Sequence, residues 1–251
     1  MKVVTDSKYY DEIGNYIQHR LGEGTYKPSE MLEKIAIIST NSHRDGIAEG
    51  EMIGRQAQYN EFWAVYQNNG ARNNYTYAFA NDNWTDETFK PKYDMVASSM
   101  YYCFCDNDKI TAIDKKADGS QLVIDGSNIT TTTGFYRAFY GMTQLKRIGL
   151  IISRADAPWT QAFNGDTNLV EIRFSGTIGT AFDIHWSTKL SRESLLSILN
   201  VCNKQNAGIT ITLPKNCING STATETYIAN DTELSTALNN ATDNGYTISF
   251  A

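Results

Sequence analysis

Two stretches of this sequence coincide when one is slid 24 residues along the other: Ala138-Phe-Tyr-Gly-Met-Thr-Gln-Leu-Lys-Arg-Ile-Gly-Leu150 and Ala162-Phe-Asn-Gly-Asp-Thr-Asn-Leu-Val-Glu-Ile-Arg-Phe174. The register matches Phe139 with Phe163, Gly141 with Gly165, Thr143 with Thr167, Leu145 with Leu169 and Ile148 with Ile172, and it sets Phe135 against Trp159. An earlier, degenerate copy starts at Cys103, where Phe104, Ile110 and Ile113 stand 35 residues before Phe139, Leu145 and Ile148. The longer unit predicts an insertion around Lys115 to Gly119, followed by the strand-like Leu122-Val-Ile124. Short fixed periods mark stacked units, none of which can bury its apolar face alone. Phe104, Phe139 and Phe163 are therefore expected in one continuous core, with Ile110, Leu145 and Leu169. The run through Ile113, Ile148 and Ile172 should lay down the strands of a parallel stack.

Upstream of the repeat the periodicity changes. Tyr9, Ile13, Tyr16, Ile17 and Leu21 fall on one face of an amphipathic helix, and Met31, Leu32, Ile35 and Ile38 on another that opens near Pro28. Gly46, Gly50 and Gly54 then recur every fourth residue ahead of Tyr59, Phe62, Trp63 and Tyr66. Each glycine costs a helix about 1 kcal/mol relative to alanine, so three in register predict a close backbone approach, either within the chain or between copies of it. From 68 to 99 the chain is turn-rich and aromatic. Its Tyr75, Tyr77, Phe79, Trp84, Phe89 and Tyr93 suit core packing better than the alternative, a sugar-stacking surface. Beyond Gly179 the sequence predicts a helix after Ser191, a strand Ile209–Leu213, a last helix from about Asp231 to Ala241 and a strand Tyr246–Phe250.

These readings add up to an α+β class: a helical docking or oligomerisation module over 1–67, a connector over 68–99, a leucine-rich-repeat-like solenoid over 100–179 and an α/β C-terminal cap over 180–251. The motif A-F-x-G-x-T-x-L-x-x-I resembles the BspA-type leucine-rich repeats of bacterial and bacteriophage surface proteins. Three N-terminal stretches, Tyr9-Tyr-Asp-Glu-Ile-Gly-Asn-Tyr-Ile17, Tyr26-Lys-Pro-Ser-Glu-Met31 and Gln58-Tyr-Asn-Glu-Phe-Trp-Ala-Val-Tyr-Gln67, with the turn Phe89-Lys-Pro-Lys-Tyr93, resemble tail-associated proteins of bacteriophages. The resemblance implies a tail, baseplate or fibre component, assembled in the host cytoplasm and carried on the virion. Its N-terminal part would dock to other virion proteins, and its repeats would face outward toward assembly partners or a host-surface glycan or protein. A bacterial cell-surface or secreted adhesion protein is the alternative.

Chemistry-bearing residues are sparse and scattered. His19, His43 and His185 fall in different elements, and Cys103, Cys105, Cys202 and Cys217 match no zinc spacing. No phosphate-binding glycine motif is present, and Asp106-Asn107-Asp108 lacks the glycine and distal glutamate of a calcium loop. Glu171 and Asp183 are the carboxylates considered for a glycosidase pair, against which solvated faces and caps are the better explanation. The expectation is a non-enzyme with no catalytic residue, metal or cofactor. A net charge of -6 and only paired basic residues exclude a nucleic-acid footprint. The polar start and the absence of a long apolar run predict neither a signal peptide nor a membrane span.

Overall fold

A computed structural model describes residues 73–76, 78–80, 84–129 and 132–251. Strands β1 (Asn73–Asn74), β2 (Met95–Ser99), β3 (Ala112–Ile113), β4 (Val123–Asp125), β5 (Arg147–Ser153) and β6 (Glu171–Gly176) form one sheet whose pairings are all parallel. The alternation of buried and half-exposed residues along β2 and β5 follows from the two-residue period of a strand with one face in the core. β3 pairs with Arg147 and Ile148, β4 pairs with Leu150 to Ile152, and β6 runs along the opposite edge of β5. β3 and β4 therefore act as one interrupted strand. The excursion between them is pinched by an antiparallel bridge from Lys115 to Gln121, which is how a copy with a longer spacing keeps its place in the sheet.

Behind the sheet a second ladder links the copies. Phe79 N–H donates to the Cys103 carbonyl, Phe104 N–H to Ala138 and Phe139 N–H to Ala162, at 2.7, 2.7 and 3.0 Å. The rings follow the backbone: Phe79 stacks on Phe104 at 5.0 Å, Phe104 on Phe139 at 5.6 Å and Phe139 on Phe163 at 5.3 Å. Phe135 lies parallel to Trp159 at 4.0 Å. All nine residues expected in the repeat core, Phe104, Ile110, Ile113, Phe139, Leu145, Ile148, Phe163, Leu169 and Ile172, are buried. The buried Asn107 amide ties two copies together by donating to the carbonyls of Phe79 and Trp84, both at 3.2 Å.

The C-terminal third brings β7 (Phe182–Asp183), α1 (Arg192–Asn200), β8 (Ile209–Leu213), β9 (Asn216–Cys217), β10 (Thr222–Ala223), α2 (Thr224–Ala229), α3 (Thr232–Asp243) and β11 (Tyr246–Phe250). β7, β8 and β11 make a second parallel sheet, and β9 and β10 an antiparallel pair. Ser191 caps α1 by accepting from Ser194 N–H, and Asp231 caps α3 by accepting from Glu233 and Leu234. Arg192 joins the two helices through a fork, its Nε 2.7 Å and its terminal nitrogen 3.0 Å from the two Asp231 oxygens. The fork holds the Asp231 carboxyl down at about 2.

α1 also closes the outer edge of β6. The Ser194 hydroxyl accepts from Ile172 N–H at 3.0 Å and reaches the Val170 carbonyl at 2.9 Å, while Ser197 accepts from Phe174 N–H at 2.7 Å. Two serines spaced three apart on a helix face each other's turn, so their hydroxyls match alternate residues of the strand. They occupy the place of a neighbouring strand.

This architecture corrects the expected fold class. The described residues are a mixed α/β fold built on a parallel half-barrel sheet with few helices, not an α+β chain in which a helical module leads into a capped leucine-rich-repeat-like solenoid. The described helices all lie after Ser191. The physical reason is core continuity: Tyr75, Phe79, Trp84 and Phe89 pack in the same core as Phe104, and Phe182, Leu195, Ile198, Ile211 and Leu234 belong to it too. The helical module expected over 1–67, with Gly46, Gly50 and Gly54, lies outside the described residues.

Candidate functional site

Each copy bends through the left-handed backbone region at a residue that is not glycine. Tyr102, Arg137 and Gln161 have φ of 54°, 50° and 55°, and they hold the same slot, immediately before Cys103, Ala138 and Ala162. A second left-handed slot is filled by Asp106, Gly141 and Gly165. L-residues carry a cost of roughly 1–2 kcal/mol in this conformation, and the ladder that fixes both neighbours of each bend offsets it. Tyr102 N–H donates to the Tyr136 carbonyl and Arg137 N–H to Thr160.

The three side chains form a hydrogen-bonded row on the surface. Arg137 Nε donates to Gln161 Oε1 at 2.6 Å, and its terminal nitrogen donates to the Tyr102 hydroxyl at 2.9 Å. The guanidinium lies over three rings, 4.8 Å from the centroid of Tyr140, 5.4 Å from Tyr136 and 5.5 Å from Tyr102, and Tyr101 stacks on Tyr136 at 5.4 Å. Tyr102, Tyr136, Arg137 and Tyr140 are half-buried and Gln161 is exposed. Burial pushes the Tyr102 hydroxyl above the usual phenol range, and the Arg137 charge opposes that shift. No carboxylate of the described residues lies within ion-pair distance of Arg137, in contrast to Arg147, Arg154 and Arg192.

Compared with protein-family models, curated proteins and solved structures, the chain matches none. The site therefore stands on its own chemistry.

Other reactive groups are held apart. Burial pushes the Cys103 thiol well up and the Cys202 thiol to about 12, so both are protonated at neutral pH. Asp183 is engaged by His185 Nδ1 at 2.6 Å, and no contact joins it to Glu171, which sits exposed on β6. Asp166 is buried with Oδ1 accepting from Met142 N–H at 3.0 Å and Oδ2 without a hydrogen bond. No group of three His, Cys, Asp or Glu that could hold a metal occurs among the described residues. Nor is any described helix long and apolar enough to cross a membrane.

Of the aromatic residues considered for sugar stacking, Tyr75, Phe79, Trp84 and Phe89 are buried, Tyr93 is 47 % exposed and Tyr77 lies outside the described residues. Two shallow recesses flank α1, one of about 320 Å³ against α3 around Cys202 and Asn240, the other of about 360 Å³ against Leu150 and Arg173. The Tyr102–Arg137–Gln161 row was not foreseen. Its signal was present in the repeat, as the variable residue one place before the alanine slot, but a left-handed bend carries no mark when glycine is not used for it.

Proposed function

We propose that this chain is a non-catalytic structural protein of a bacteriophage virion, a tail, baseplate or fibre component whose N-terminal part docks to the particle and whose remaining body is exposed for assembly or host-surface binding. The virion assignment rests on the resemblance of the N-terminal stretches to tail-associated proteins. The observation that carries the binding role is the Tyr102–Arg137–Gln161 row, a set of outward polar groups fixed at both ends by hydrogen bonds and seated on stacked Phe rings. Rigid side chains lose little freedom on binding, so a preorganised surface gains affinity that a mobile one forfeits. Tyrosine and arginine also combine wide contact area with directional hydrogen bonds. Mass spectrometry of purified particles is the test. Peptides of this chain at a fixed ratio to known tail proteins are expected, and their absence from infectious particles would overturn the virion reading.

A further inference from the structure

The geometry points to an anionic sugar polymer as the ligand of the surface formed by Tyr136, Arg137, Tyr140 and Gln161, with Arg137 receiving the carboxylate or phosphate and the tyrosine and glutamine groups receiving sugar hydroxyls. The inference deepens the reading of the chain as an exposed virion protein and rests on it for its biological setting.

The anion requirement comes from Arg137. Its Nε and one terminal N–H are used within the row, and the rest of its fork has no partner among the described residues. Three tyrosine rings lie 4.8–5.5 Å from the guanidinium, and its hydrogen bonds to Gln161 and Tyr102 set its orientation. An arginine fixed in this way offers paired donors to a planar or tetrahedral oxyanion, where a lysine would offer only a point charge.

The sugar requirement comes from what surrounds the cation. The Tyr136 and Tyr140 rings present apolar edges with hydroxyl groups at their tips, and the exposed Gln161 amide adds a donor and a second acceptor site beside them. A surface rich in hydroxyl and amide groups suits a ligand that is itself a chain of hydroxyls. The copies repeat along the sheet, which extends the surface in one direction from Tyr101 to Gln161 and favours a polymer over a single sugar.

The test is calorimetric titration of the full chain with an oligogalacturonate, a phosphomannan oligosaccharide and a neutral mannan of equal length. One or both acidic probes should bind, the two distinguishing carboxylate from phosphate as the anion, with affinity that falls as salt rises and with little binding of the neutral mannan. Arg137→Gln is expected to weaken the acidic probe at least about tenfold, the loss of one charge-assisted pair, and Arg137→Lys should recover only part of it. Tyr140→Ala serves as a second variant, because it leaves the hydrogen bonds of Arg137 to Tyr102 and Gln161 in place, and its melting curve separates lost binding from lost folding. Equal binding of acidic and neutral probes, absence of binding by all three, or unchanged affinity in folded Arg137→Gln and Tyr140→Ala would each overturn the proposal. A chain found on the virion that binds no acidic probe loses this ligand assignment alone, whereas a chain that binds one but is absent from particles loses the virion assignment alone.

Discussion

At the scale of single residues, Asp166 shows what one atom changes in an otherwise repeated slot. It occupies the position of Asn107 in a later copy, yet where the Asn107 amide donates to two carbonyls the Asp166 Oδ2 atom has no partner. Burial raises the Asp166 carboxyl well above its usual range, and the Met142 N–H only partly opposes this. The sign of the effect on stability follows. Below about pH 4 the folded and unfolded chains both carry the proton; above it the unfolded chain releases it while the folded one retains it, so stability falls as pH rises until the folded carboxyl itself ionises. Asp166→Asn should abolish this decline, because the amide does not titrate, and leave the variant the more stable protein at pH 7. Urea titrations of both proteins from pH 4 to pH 8 check it, and parallel curves would show that Asp166 is not the group responsible. The nine repeat-core positions were legible at this scale because burial of a large apolar side chain leaves a spacing in the sequence. The Tyr102–Arg137–Gln161 row was not, because it depends on backbone angles and on side chains that differ from copy to copy.

Among the elements, the stack of rings and the α1 seam with β6 carry different kinds of stability. Phe139 has a parallel ring on each side, Phe104 and Phe163, so truncation removes two contacts and leaves a hole that neighbours fixed by a backbone ladder cannot fill. Phe139→Ala should cost about 3–5 kcal/mol, measured by chemical denaturation. The seam is polar. Ser194→Ala and Ser197→Ala should each cost about 1–3 kcal/mol by stranding the N–H groups of Ile172 and Phe174, and a double variant that keeps its melting temperature would show that water replaces the hydroxyls without penalty. The helix itself was readable from Ser191 and the apolar residues at Leu195, Ile198 and Leu199. Its partner was not, since nothing in a serine pair says which strand it will face.

For the whole molecule, the decisive fact is one core that runs from Tyr75 to Tyr246. The aromatic segment before Met100 looked like a connector because asparagine, proline and glycine-like turns hide its period, although Ala78-Phe79 stands just 25 residues before Cys103-Phe104. A fragment of residues 96–251 lacks the Phe79 and Phe89 rings that cover Phe104, and the Trp84 ring packed on Phe79, and it should aggregate, whereas residues 69–251 should remain soluble and unfold in a single transition. Size-exclusion chromatography and thermal denaturation of the two fragments compare them; a monomeric 96–251 fragment with native-like melting would refute the single-core account. The serine seam also sets a clock on synthesis. As the chain leaves the ribosome, every strand of the large sheet is available before α1 is, so β6 presents bare backbone groups to neighbouring nascent chains until residue 200 has emerged. Slow translation between Gly176 and Asn200 would lengthen that exposure and should lower the yield of folded protein.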